Sequence, residues 1–149
     1  MPQVLEKKRS AQKTYTTNNL LGVKTANNLK LAEAVESGLS YESFERLGRL
    51  TGLPIEQLRA AIRIPPRTLA RRKLSNRLSC EESDRLVSLS RLLTLTFQLF
   101  DGDVGASLRW FTEPNRGLGG ISPIEVSATE TGSREIENLI GRLEHGVFT

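Results

Sequence analysis

One cysteine, one histidine, one tryptophan and one methionine among 149 residues leave little material for metal or redox chemistry. Cys80 has no second cysteine to pair with, and together with His145 it falls short of the four ligands of a structural zinc site. A reducing compartment is the natural setting for such a chain. Long apolar runs are missing too. The opening MPQVLEKKRS carries charge with no apolar segment behind it, and the most apolar stretch, Leu92 to Phe100, is broken by Thr94, Thr96 and Gln98. Neither secretion nor a membrane span is indicated, so a cytoplasmic protein is expected. Runs of alternating β-branched residues are absent as well, which points to an all-α fold.

Catalytic constellations are equally scarce. His145 has no nucleophile near it in sequence, and a histidine at a helix end more simply meets the terminal carbonyls. The loop Gly117-Leu118-Gly119-Gly120 has neither a preceding strand nor a following Lys-Ser/Thr, so a tight chain reversal explains its glycines better than a phosphate cradle does. No enzyme, cofactor or metal is read from this chain.

What is present is an uneven charge distribution. Residues 1–28 hold five basic and one acidic side chain, residues 29–45 one and four, residues 46–91 eleven and four, and residues 92–149 four and eight. A basic block thus precedes an acidic C-terminal part, and such a block attracts polyanions such as DNA whatever the whole-chain charge. Polar residues 1–28, with Thr14, Thr16, Thr17, Asn18 and Asn19, read as a flexible basic arm.

Helical periodicity begins at Leu29, with Leu31, Ala34 and Val35, and stops at Gly38. Ser40 then opens a helix that buries Phe44 and Leu47 and ends at Gly52. Ile55, Leu58, Ala61 and Ile62 form one face of a short helix, and Pro65-Pro66 ends it and starts the next. That next helix, from Arg67 to Lys73, is cationic with Leu69 as its apolar anchor. Two short helices across a tight turn, the second basic, form a helix-turn-helix pattern. With Leu58, Ile62, Ile64 and Leu69 inward, Arg67 and Arg71 face outward as candidate base readers, with Thr68 between them. Arg63, Arg72, Lys73 and Arg77 are candidates for phosphate contact.

Ser79-x-x-Glu82 is a capping box opening the longest helix, on which Leu86, Leu89, Leu93, Phe97 and Phe100 form one stripe and Leu92, Leu95 and Leu99 another. So apolar a helix is either central to the fold or shared with a second copy, and a homodimer paired through it is expected. Val104, Leu108 and Phe111 mark a further helix, Ser122-Pro123-Ile124-Glu125 opens another, and Ile136, Leu139, Ile140 and Leu143 line the last.

Several segments resemble the Xre/MbcA/ParS family of antitoxins. These are Arg67-Thr-Leu-Ala-Arg-Arg72, Leu78-Ser-Cys-Glu-Glu-Ser-Asp-Arg-Leu86, Ala106-Ser-Leu-Arg-Trp110-Phe111, Leu118-Gly-Gly120, Thr129-Glu-Thr-Gly132 and Gly141-Arg-Leu-Glu-His-Gly146-Val147. The resemblance spans roughly residues 40–149. It implies an Xre-like helix-turn-helix domain followed by a small helical toxin-binding domain, divided here as 29–100 and 101–149. It implies as partners a cognate RES-domain, NAD-consuming toxin and the promoter DNA of the chain's own operon. It also places Asn115, Leu118, Arg142, Glu144, His145, Val147, Phe148 and Thr149 in the toxin-binding segment, the tail occluding the toxin's cleft. A plain transcription regulator without a toxin partner is the alternative, and it leaves the acidic C-terminal part unexplained.

Overall fold

The computed structural model describes residues 15–146, and every regular element among them is helical. The order is α1 Thr17–Leu21, α2 Asn28–Ser37, α3 Tyr41–Thr51, α4 Ile55–Ala61, α5 Pro66–Ser75, α6 Cys80–Leu99, α7 Val104–Thr112, a single 3-10 turn Arg116–Leu118, α8 Pro123–Val126 and α9 Glu130–Glu144. One isolated bridge, Asn115 to Ile121, closes the glycine loop. The all-α reading therefore holds across the described residues.

Local chemistry sets most helix ends. The capping box forms as the sequence indicates: Ser79 Oγ accepts from Glu82 N at 3.1 Å, and a Glu82 carboxyl oxygen accepts from Ser79 N at 2.8 Å. Asn27, Asp103, Ser122 and Thr129 cap α2, α7, α8 and α9 from one side only, each side chain accepting from a backbone N–H of the first turn. Ser40 precedes α3 as expected but makes no side-chain cap bond. Gly38 ends α2 at a φ of +90°, and a Cβ there would collide with the Leu78 carbonyl. The chain crosses itself closely at that point, with Leu78 N donating to Leu39 O at 2.8 Å and Leu39 N donating to the buried Ser83 Oγ at 2.8 Å.

The core is organised around α6, which packs against α1, α2, α7 and α9. Leu86, Leu89, Leu92, Leu93 and Phe97 are buried in it, and Leu95 and Leu99 are half-buried against it. Most of both stripes thus packs on the chain's own helices, while Leu95, Leu99 and Phe100 stay half-exposed. Four helices need a broad contact area, and one helix reaches them only by being apolar on more than one face.

Residues 15–28 also differ from the expected flexible arm. Leu20 and Leu21 are fully buried, α1 packs on α3 and α6, and Tyr15 stacks on Phe97 with ring centroids 4.8 Å apart. The polar residues do structural work: Thr16 Oγ1 accepts from Asn19 N, Asn18 pairs with Thr25, and Gly22 closes α1 in the left-handed region. Residues 1–14 of the expected arm lie outside the described residues.

Candidate nucleic-acid interface and C-terminal partner face

The helix-turn-helix consists of α4, a turn over residues 62–65, and α5. Leu58, Ile62, Ile64 and Leu69 are buried. Arg59 fastens the turn, its guanidinium donating to Ile64 O at 2.8 Å while Ile64 N donates to Arg59 O at 3.1 Å. Pro66 occupies the first turn of α5, where its missing N–H costs nothing.

With about 100° of rotation per residue, Arg71 lies about 40° from Arg67 to one side around the α5 axis, and Leu74 and Ala70 lie about 20° and about 60° to the other. Leu69, the inward anchor, is on the opposite side. Arg67, Ala70, Arg71 and Leu74 are all exposed. This is the i, i+3, i+4, i+7 set through which a helix lying in a major groove presents itself to base edges. Arg67 and Arg71 stand where the sequence placed them, and Thr68 is half-buried with its hydroxyl 3.4 Å from an Arg71 amino group. Lys73 and Arg63 are exposed, and neither forms an ion pair among the described residues. Arg63 adopts φ +59° at the turn.

Arg72, a candidate for phosphate contact, is placed differently from Arg67 and Arg71. It lies toward Leu69 rather than toward solvent, and its Nε donates to Glu82 Oε1 at 2.7 Å, its Nη2 to Glu82 Oε2 at 3.4 Å. It ties α5 to the cap of α6. Burial of the Glu82 carboxyl opposes ionisation, but the Arg72 hydrogen bond, the Ser79 N–H and the Arg72 charge outweigh it, leaving the pKa below the ordinary glutamate value. Arg77 is exposed yet also engaged, donating to Ser37 O at 2.7 Å. Leu74, absent from the sequence candidates, shares the outward face; its heptad relation to Arg67 was the available signal.

In the C-terminal part, Asn115 and Leu118 both make contacts within the chain. Asn115 Oδ1 accepts from Gly117 N at 2.8 Å, and the Leu118 side chain turns into the core from the glycine loop. The loop's glycines thus serve a reversal that buries Leu118. The α9 helix buries Ile136, Leu139 and Ile140, with Leu143 half-buried against the core. Gly132 in its first turn allows the Val126 carbonyl to approach so closely that any Cβ would collide with it, while Gly132 N donates to the cap Thr129 Oγ1 at 3.0 Å. Of the remaining candidates, Arg142 is half-exposed with an amino group 3.6 Å from Glu135, and Glu144 and His145 are exposed at the end of α9. Val147, Phe148 and Thr149 lie outside the described residues. Trp110 is half-buried, its ring centroid 6.2 Å from that of Phe100. No helix among the described residues is long and apolar enough to cross a membrane.

Comparison with known proteins agrees with this division of labour. Residues 30–91 match the antitoxin Xre-like helix-turn-helix domain, and residues 95–146 match the antitoxin Xre/MbcA/ParS C-terminal toxin-binding domain. The chain is 34% identical over 140 residues to a protein named Antitoxin Xre from Yersinia enterocolitica, spanning 93% of this chain and 95% of that one. It is 37% identical over 73 residues to an Antitoxin Xre of Photorhabdus laumondii, covering 49% of each. An Antitoxin Xre of Pseudomonas putida is 29% identical over 84 residues, 56% of this chain and 52% of the relative.

Proposed function

This chain belongs to the Xre antitoxin family, and on that premise we propose that it neutralises a cognate RES-domain, NAD-consuming toxin and represses its own operon by binding promoter DNA. It is not an enzyme. The observation that carries the reading is the match of two different family domains to two differently built parts of one chain: a basic helix-turn-helix, and an acidic helical part ending in α9.

DNA is met through α5. Arg67 and Arg71 read base edges, with two hydrogen bonds from a guanidinium to a guanine, and Lys73 and Arg63 supply phosphate contacts. Two copies on an inverted repeat would place their α5 helices about one helical turn, roughly 34–36 Å, apart.

Toxin is met through the end of α9 and the residues that follow. A toxin that uses NAD holds two phosphates, and cationic groups are the usual means. Glu144 and His145 are exposed at the end of α9, and with Val147, Phe148 and Thr149 they make up the segment that blocks such a cleft. The test is a deletion of residues 144–149, beginning after Leu143 so that the core contact of that residue is kept. Cells expressing the truncated chain should die on toxin induction, and toxin should fail to co-purify with it, while promoter binding persists. Survival equal to that of wild type would rule out occlusion by the tail, and failure of the full chain to capture the adjacent gene's product would rule out the toxin partner.

A further inference from the structure

We propose that Leu74 is a specificity-determining residue of the DNA interface, packing against the C5-methyl group of a thymine in the major groove. The inference rests on the reading of α5 as the DNA helix. A single exposed leucine is ordinary on a protein surface. This one is distinguished by position and degree. It is 90% exposed, against 70% for Leu29, 46% for Ile121 and 40% for Ile55, the other large hydrophobics standing out among the described residues. It also lies on the one face of α5 that carries Arg67 and Arg71.

That location narrows the occupant. The surroundings of Leu74 are cationic, with Arg71 and Lys73 on its own helix and Arg77 just beyond, so whatever covers it is anionic nearby and apolar at the point of contact. The major groove offers both, since phosphates line its rims and thymine is the base that presents a methyl group on its floor. Ala70, one turn before Leu74 and likewise exposed, extends the apolar strip along the edge of the arginine pair.

Spacing gives the register. At 1.5 Å of rise per residue, Leu74 is about 4.5 Å along the helix from Arg71 and about 10.5 Å from Arg67. Base pairs are stacked about 3.4 Å apart. With α5 lying along the groove, the thymine sits one or two base pairs from the base read by Arg71, on the side away from that read by Arg67.

The experiment uses the full chain and its own promoter. Footprinting defines the bound site, and each thymine in it is then replaced singly by deoxyuridine, which removes the methyl and leaves the hydrogen-bonding edge intact. Wild-type protein should lose about fourfold in affinity at one position per half-site, the worth of a methyl-sized apolar contact. Leu74→Ala should bind unmodified DNA about fourfold more weakly, be indifferent to deoxyuridine at that position, and unfold in urea as wild type does. Equal deoxyuridine responses in wild type and Leu74→Ala would overturn the proposal while leaving DNA binding through α5 intact. So would a Leu74→Ala chain whose defect is lost self-association or lost toxin capture. If the wild-type chain protects no promoter segment, the DNA reading fails first, and the proposal with it.

Discussion

Replacing Arg72 by alanine should destabilise the fold and leave DNA recognition nearly untouched, the opposite of what removing a phosphate contact does. The Glu82 side chain is 9% exposed and that of Arg72 29%, so the pair is neither a surface ion pair, worth about 0.2–1 kcal/mol, nor a fully buried one, where loss of a partner costs about 3–5 kcal/mol. After the substitution Glu82 keeps the Ser79 N–H but loses two guanidinium donors. A cost of about 2 kcal/mol is expected, lowering the melting temperature by roughly 4–8 °C for a chain of this size. Glu82→Gln combined with Arg72→Ala should show coupling of similar size in a double-mutant cycle.

The pH dependence follows from the depressed carboxyl pKa of Glu82. A group whose pKa is lower folded than unfolded contributes stability that is fully present above its unfolded value, about 4.3 for glutamate, and lost as pH falls through the folded value. Wild type should therefore lose this increment below about pH 4.3, and Arg72→Ala should show a shallower loss over the same acid range. Urea unfolding at several pH values measures both. In gel shifts at 25 °C the variant should keep its promoter affinity and the wild-type salt slope. A variant of wild-type stability, with all DNA binding weakened and a salt slope smaller by about one, would show that Arg72 serves phosphate instead.

Gly132→Ala should cost at least about 2 kcal/mol in urea unfolding, because its Cβ meets the Val126 backbone carbonyl rather than a movable side chain. Gly141→Ala, in the same helix with open space around its Cβ position, should instead stabilise by about 0.4–1 kcal/mol. Arg67→Ala and Arg71→Ala should each lose about 1–3 kcal/mol of promoter binding and relax base preference, and gel shifts showing wild-type specificity in both would refute α5 as the reading helix. Leu20→Ala should cost about 2–5 kcal/mol, as a fully buried leucine does, whereas a flexible arm would give no measurable change in unfolding.

The parts of the fold legible in the sequence are those whose signals are local. Pro65-Pro66 marks the start of α5, Ser79-x-x-Glu82 the start of α6, and Gly52 the end of α3, because each acts through its own backbone within one turn. The five residues of α1 are too few for a helical period to emerge, and its cap and stop are Thr16 and Gly22, set in a threonine- and asparagine-rich stretch that looks unstructured. The intrachain contacts of Arg72 and Leu118 are not legible in the sequence for the converse reason. Arg72 was counted among exposed cations, although its three-residue spacing from Leu69 turns it inward, and only Glu82, ten positions on and already fixed by its cap, gives it a partner. Leu118 sits among glycines, with no apolar periodicity around it to mark it as core, and those glycines bend the chain sharply enough to return it there.

The two family domains meet within α6, since the matches end at residue 91 and resume at residue 95 while the helix continues unbroken from Cys80 to Leu99. A helix of 20 residues is about 30 Å long, and this one is held near its start by the Arg72–Glu82 pair and the Leu39–Ser83 bond and over its length by α9 and α7. Arg85 adds a contact of 3.4 Å to the Ile62 carbonyl at the helix-turn-helix turn. The proposed DNA face of α5 and the proposed toxin face at the end of α9 are therefore carried on one shared strut rather than on modules joined by a linker. A toxin that engages two copies through their C-terminal ends would in consequence also set the separation and angle of their α5 helices. On the proposed reading, the geometry of neutralisation and the spacing of the operator half-sites are then consequences of the same helix.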